Sequence, residues 1–323
     1  MANFSHIGVL GAGAWGSALA LAAHAAGART TLWVREDDVL AALKAGGENR
    51  FLPGMKLPGD LAVTGALAEV AKADALLLVV PAQVLQVFAA TLKPHLRAGQ
   101  PLVICAKGIE KGSGRLVTEV LGAALPDTPL AVLSGPSFAR DVAKGLPTAV
   151  TIAAGSDLAA QLQAVLGSAA FRPYASDDLT GVALGGAAKN VYAIACGVVE
   201  GMGLGENARA ALLARSFAEL ARLGEALGAR RETLMGLSGL GDLVLTATSK
   251  SSRNFSYGAA IGSGTKPDGK LAEGVDTAPA LVTRARALGV EMPIAEAMAD
   301  LLSGALPLEQ ALMRLMSRKL TVE

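Results

Sequence analysis

The chain is poor in the residues that most often announce a chemistry. It has two cysteines and three histidines in 323 residues, so no disulfide framework is expected and no metal site is read in it. Cys105 falls in an expected strand and Cys196 in an expected helix, so both read as core residues of a protein kept in a reducing cytoplasm. His6 opens a strand, His24 lies on the first expected helix and His95 follows Lys93-Pro94. None sits in a glycine-framed loop, so proton chemistry falls to some other group. An excess of either charge is missing too. Lys and Arg number 29 against 28 Asp and Glu, a formal net charge of +1, and they are scattered. Nothing in that pattern calls for nucleic acid or an anionic membrane. The two longest apolar runs, Ala73 to Ala90 and Gly181 to Gly203, are interrupted, the first by Asp74, Pro81 and two glutamines, the second by Lys189, Asn190 and Glu200. Each reads as buried strand or helix, and no membrane insertion is expected. Met1 to His6 lacks a basic region followed by an apolar core and is not read as a signal peptide. Repeats of solenoid period and low-complexity linkers are also wanting.

What the chain has is material to bury. Hydrophobic residues make up 52% and charged ones 18%, which disfavours disorder. Its length favours two domains. Their organising stretch is Ile7-Gly8-Val9-Leu10-Gly11-Ala12-Gly13-Ala14-Trp15-Gly16-Ser17. A short apolar strand enters three glycines at G-x-G-x-x-G spacing and an alanine-rich helix leaves them. Gly11 permits the tight turn, Gly13 offers no side chain to block a pyrophosphate, and Gly16 lets helix and strand pack closely. The N–H groups that open the helix, Ala14 and Trp15 among them, then face the anion. A bare motif is a weak signal, but this one follows the first apolar run, and a second run, Thr30 to Val34, ends about twenty residues later.

Strand-like runs at 6–11, 29–34, 61–64, 74–80, 101–105, 129–134, 147–153 and 170–175 alternate with helical stretches at 14–27, 36–46, 82–93, 113–124 and 156–167. That alternation predicts an α/β fold, a Rossmann-type, mostly parallel sheet covered by helices on both faces. Gly46 to Gly59 reads as an excursion. Beyond about residue 178 strand patterns vanish, and alanine- and leucine-rich helices are broken at Gly201–Gly205, Gly236–Asp242 and Gly262–Gly269. The expected division is a dinucleotide-binding domain over 1–180 and an all-α substrate and catalytic domain over 181–323.

Cofactor choice is read at the end of the second strand, where a carboxylate would bond a ribose 2′-hydroxyl and an arginine a 2′-phosphate. Arg35 followed by Glu36 favours NADPH over NADH, the other reading being a solvated ion-pair turn. For proton transfer the leading candidate is Lys189, in Gly185-Gly186-Ala187-Ala188-Lys189-Asn190. Small residues on the preceding turn let a backbone or ligand come close, and apolar neighbours would desolvate the amine towards the working range of a base. A lysine snorkelling from a buried helix is the alternative. Lys107 follows the fifth strand and either neutralises a phosphate or merely closes the strand. Gly135 and Ser137, in Ser134-Gly135-Pro136-Ser137, could hydrogen-bond a small polar substrate or form an ordinary turn. Asp242 either caps a helix or serves the site. Ser252, Arg253 and Asn254 at a helix start suit a phosphate, and capping does not exclude that.

Taken together, these segments resemble the prokaryotic-type NAD(P)-dependent glycerol-3-phosphate dehydrogenases. The match runs in order through Gly11–Gly16, Ala106-Lys107-Gly108, Ser134–Ala139, Gly145–Ala149, Gly185–Asn190, Gly239-Leu240-Gly241-Asp242-Leu243, Ser252-Arg253-Asn254 and Glu273-Gly274. The Lys-Asn, Gly-Leu-Gly-Asp and Ser-Arg-Asn segments make it specific. The resemblance implies reversible reduction of dihydroxyacetone phosphate to sn-glycerol 3-phosphate for phospholipid synthesis, with Lys189 handling the proton. It puts Lys107, Gly135, Ser137, Lys189, Asp242, Ser252, Arg253 and Asn254 at substrate positions. It puts Trp15, Arg35, Lys107, Ala139, Arg253, Leu271 and Glu273 at cofactor positions, and it suggests a homodimer. Arg215-Ser216 stands where the family suggests Arg-Gly. A 3-hydroxyacid type of dehydrogenase would need a carboxylate-binding set in place of Ser252–Asn254. A nucleotide sensor without turnover would not need Lys189 and Asp242 together.

Overall fold

Apolar residues on successive strands alternate between two buried layers, and that alternation decides the first half of the architecture. The computed structural model describes residues 4–269 and 271–316. The chain divides into two compact units, one running through Lys107 and resuming over Val117–Ala183, the other taking Gly108–Leu116 and the chain from Leu184 onward.

The first unit holds eight strands: β1 (His6–Leu10), β2 (Arg29–Trp33), β3 (Ala62–Thr64), β4 (Ala75–Leu78), β5 (Leu102–Ile104), β6 (Leu130–Ser134), β7 (Thr148–Ala153) and β8 (Phe171–Ser176). Each coincides with an expected strand. They form one sheet of order β3-β2-β1-β4-β5-β6-β7-β8. Its helices are α1 (Ala14–Ala25), α2 (Asp37–Lys44), α3 (Leu67–Val70), α4 (Leu85–Leu92), α5 (Val117–Ala124), α6 (Ala139–Ala143) and α7 (Ser156–Leu166). Leu77, Val103, Ala131 and Leu133 point into one core with α1 and α7, whereas Leu76, Leu78, Leu102, Ile104 and Val132 point into another with α4 and α5. A sheet buried on both faces needs such continuous apolar runs.

All neighbouring strands are parallel except β6 and β7. The link between those two carries only the five-residue α6, so the chain turns back instead of making a full crossover. Strand order reverses between β1 and β4, and such a reversal opens a ligand crevice at the carboxyl ends of the strands.

The second unit is helical: α8 (Leu179–Gly201, which begins in the first unit), α9 (Gly205–Ala226), α10 (Arg231–Met235), a π-helical turn (Leu237–Gly241), α11 (Asp242–Ala247), α12 (Arg253–Gly262), α13 (Glu273–Ala287), α14 (Pro293–Leu302) and α15 (Leu308–Met316). Among the described residues α8 alone is long and apolar enough to cross a bilayer, and its most apolar window is wholly buried in the protein. Four glycines bring α8 and α12 into backbone contact. A Cβ on Gly197 would lie 2.1 Å from Phe255 O, and one on Gly258 would lie 2.0 Å from Ile194 O. Gly201 and Gly262 are as tightly placed, against Ala259 O and Val198 O. The segment 108–116 belongs here because Ile109 and Leu116 sit in the helical core. Its glycines Gly112 and Gly114 have φ of 87° and 69°, which is why helix α5 starts at Val117 and not at the expected 113. Ser216, where the resemblance suggests glycine, is fully buried and its hydroxyl has no hydrogen-bond partner.

Glu219 of α9 is buried in this unit and receives the opening N–H groups of α14, Ile294 N at 2.7 Å and Ala295 N at 3.2 Å. The Tyr192 hydroxyl of α8 lies 3.5 Å away. Burial pushes its carboxyl up from 4.5 to about 7, against the pull of those N–H groups and of Arg222 and Arg215. The folded protein therefore holds this proton more tightly than the unfolded chain. The stability it contributes is complete below pH 4.5 and is lost as pH rises through about 7, a change of ~3 kcal/mol. Denaturant melts between pH 4 and 8 will show that decline, and Glu219→Gln will flatten it.

Candidate active site

Each unit assembles part of the predicted constellation. In the first unit, Gly11 leaves β1 with φ 118°, and a Cβ there would meet Val79 O at 2.7 Å. A Cβ on Gly16 would fall 1.8 Å from Gly11 O. These two glycines are therefore fixed by the fold itself. Gly13 differs: a Cβ there meets nothing within 4 Å, so packing within the fold does not require glycine at this position. Gly13 is the N-cap of α1 and supplies no side-chain cap, and the first turn has no acidic residue. The opening N–H groups at Ala14, Trp15 and Gly16 and the positive end of the helix dipole thus present an anion site. Trp15 Nε1 is buried without a hydrogen-bond partner. These features fit a dinucleotide pyrophosphate.

At the end of β2, Arg35 is largely exposed, with Nη2 2.6 Å and Nε 3.0 Å from Glu36 Oε1. The ion-pair turn is thus formed. Beyond β5 and β6, Lys107 Nζ donates to Gly135 O at 3.0 Å, and Ser137 Oγ donates to the same carbonyl at 3.0 Å. Gly135 has φ 153°, and a Cβ on it would press on Val150 Cα at 2.8 Å. One carbonyl therefore gathers the three substrate candidates of this unit, Lys107, Gly135 and Ser137. Ala139 opens α6 and packs against the same core as α1.

In the second unit, Lys189 and Asp242 meet although 53 residues separate them. Lys189 Nζ lies 2.8 Å from Asp242 Oδ1 and 2.8 Å from Thr246 Oγ1, and Thr246 Oγ1 donates to Asp242 Oδ1 at 3.1 Å. The side chains of Lys189 and Asp242 are 9% and 1% exposed. Asp242 does not cap its helix. It is the first residue of α11, behind a π-helical turn that Gly185 admits against α8, since a Cβ on Gly185 would sit 2.7 Å from Ser238 O. The small residues before Lys189 thus do the work expected of them. A carboxylate at this distance stabilises the ammonium and offsets the desolvation imposed by the apolar surroundings. Thr246 was missed in the sequence. Its spacing of four from Asp242 on one helix face was the available signal.

Ser252 caps α12, its Oγ accepting Phe255 N at 3.2 Å. Asn254 donates to Asn190 Oδ1 at 2.9 Å and accepts Gly274 N at 3.0 Å. It thereby joins the residue after Lys189 to the start of α13, where Glu273 stands. Arg253 and Leu271 are exposed.

The two halves of this arrangement coincide with the two halves of one known family. The family description "NAD-dependent glycerol-3-phosphate dehydrogenase N-terminus" matches residues 6–160, and that of the C-terminus matches residues 178–313. The chain belongs to this family. The glycerol-3-phosphate dehydrogenase [NAD(P)+] of Afipia carboxidovorans is 54% identical over 100% of both chains. That of Rhodospirillum rubrum is 55% identical over 98% of this chain and 94% of its own. The crystal structure of glycerol-3-phosphate dehydrogenase from Coxiella burnetii superposes with a TM-score of 0.92 at 38% identity, covering 98% of this chain and 99% of that one. The Rossmann-type sheet followed by helices is therefore the architecture of this dehydrogenase family.

Proposed function

We propose that the chain is an NAD(P)-dependent glycerol-3-phosphate dehydrogenase that interconverts dihydroxyacetone phosphate and sn-glycerol 3-phosphate, with Lys189 as the proton-transfer group. The observation that carries the chemistry is the buried cluster of Lys189, Asp242 and Thr246, in a chain whose full-length relatives bear that enzyme name.

In reduction, the Lys189 ammonium gives a proton to the C2 oxygen as that carbon gains hydride. In oxidation, the neutral amine takes the hydroxyl proton. The bound nicotinamide supplies or receives the hydride. Asp242 and Thr246 fix the amine before substrate arrives, so little reorganisation is left for the reaction. Lys107, Gly135 and Ser137 are assigned to the substrate together with Ser252, Arg253 and Asn254, since a phosphate dianion takes cations, hydroxyls and helix-opening N–H groups.

Gly11, Gly13, Ala14, Trp15 and Gly16 take the pyrophosphate, and Arg35, Lys107, Ala139, Arg253, Leu271 and Glu273 the remaining cofactor contacts. Arg35 favours NADPH through its 2′-phosphate. Its standing pair with Glu36 competes for the guanidinium, so the preference is modest and NADH also serves. The enzyme acts as a cytoplasmic homodimer without membrane insertion, and its product feeds phospholipid synthesis.

The test is loss of NADPH absorbance on adding dihydroxyacetone phosphate, with NADH run alongside. Oxidation that requires this ketone and yields glycerol 3-phosphate supports the reading. Tight NADPH binding with no oxidation on adding it contradicts the reading.

A further inference from the structure

The excursion between α2 and β3 is tied to the glycine turn by one buried side chain. Asn49 is 1% exposed. Its Nδ2 donates to Ala12 O at 2.8 Å and to Ser17 Oγ at 2.8 Å, and its Oδ1 accepts Phe51 N at 2.9 Å. The amide orientation is fixed from both ends, because a carbonyl can only accept and a backbone N–H can only donate. Ser17 is fully buried and its hydroxyl also leans on Ala12 O, at 3.4 Å. Two side chains thus converge on one carbonyl, the one between Gly11 and Gly13.

That carbonyl matters because the peptide is planar and trans, so Ala12 O and Gly13 N–H point in opposite directions. Holding the oxygen against Asn49 and Ser17 turns the Gly13 N–H to the opposite side, away from both of them. Glycine on both sides of Ala12 brings no side chain of its own to hold this peptide. Asn49 is placed to hold it.

We infer that Asn49 is a positioning residue for the dinucleotide, clamping the Ala12–Gly13 peptide so that the turn's N–H groups are preset for a pyrophosphate. The inference rests on the reading of Gly11–Gly16 as the cofactor turn. It assigns a functional reason to the excursion over Gly46–Gly59 beyond its own folding. Two replacements separate these roles. Asn49→Ala removes every bond. Asn49→Asp keeps an acceptor for Phe51 N but loses both donors, so it spares the excursion's own turn and releases the clamp.

NADPH affinity is titrated through the cofactor's fluorescence, and amide hydrogen exchange is followed across Gly11–Ser17 in the ligand-free protein. Both variants are expected to weaken NADPH about tenfold, the effect of one lost buried hydrogen bond, and to speed exchange in that segment. The KM for dihydroxyacetone phosphate at saturating NADPH is expected to stay put. Ser17→Ala, a gentler change, is expected to weaken NADPH about threefold and stands in if an Asn49 variant folds poorly. Wild-type NADPH affinity and exchange in Asn49→Asp, or in Ser17→Ala where that variant stands in, would overturn the inference. Gly13→Asp is the control for the underlying reading. If it binds NADPH as wild type does, the cofactor turn itself is misassigned. If it abolishes binding while Asn49→Asp leaves binding intact, only the clamp fails.

Discussion

Lys189→Met lowers kcat for dihydroxyacetone phosphate reduction by roughly 10³-fold, the usual scale for removing a positioned acid or base. NADPH affinity, measured by fluorescence titration, stays near wild type, because Lys189 is not among the residues assigned to the cofactor. The substitution also takes the ammonium away from a carboxylate that is 1% exposed. Breaking a buried ion pair by removing one partner costs about 3–5 kcal/mol, so denaturant melts will show a marked loss of stability at neutral pH. Adding Asp242→Asn to Lys189→Met removes that charge while keeping an acceptor for Thr246. The double variant is expected to regain much of the stability and none of the turnover. Recovery of both together would mean that Lys189 acts only as a structural counter-ion.

The second large effect concerns glycine, and it has opposite consequences at two positions. Gly258→Ala puts a methyl 2.0 Å from Ile194 O, where neither helix backbone can yield. Helices α8 and α12 must separate, and the Asn190–Asn254 bond between them is stretched with them. A loss of about 3–5 kcal/mol is expected, at the severe end for a single substitution, read from thermal or denaturant unfolding. Gly13→Ala meets nothing within 4 Å and has a permitted φ of −65°. It is expected to leave stability within about 0.5 kcal/mol and to weaken NADPH instead. Equal unfolding midpoints for the two variants would contradict the packing argument.

The sheet was legible because a strand buried on both faces is written as a continuous apolar run, and Leu76 to Val80 shows it plainly. The turn of direction at β7 was not, since Thr148–Ala153 has the same composition whichever way it pairs. Short elements such as α3 and α6 lack a full period of pattern. At the site, Lys189 was visible through the glycine and alanine residues before it, which admit the π-helical turn. Its pairing with Asp242 was not deducible from spacing, because 53 residues and several helices intervene. Local pattern left Asp242 balanced between cap and function, and only the packing of α8 on the π-helical turn puts it against Lys189 and not at the cap. Asn49 was read as part of an excursion, since a buried amide looks like any loop asparagine until its partners are known.

The central claim is that an amine at position 189 moves the proton, and chemical restoration tests it most directly. Lys189→Cys followed by 2-bromoethylamine rebuilds a side chain of lysine's length ending in an amine. Cys105 and Cys196 will not compete, being buried, with burial pushing the Cys196 thiol up to about 12 and the Cys105 thiol higher. The untreated variant is expected to be inactive, and the alkylated one to recover most of the lost turnover with a pH profile moved down by the electron-withdrawing sulfur. Full activity before treatment, or none after mass spectrometry shows the new amine in place, would contradict the assignment.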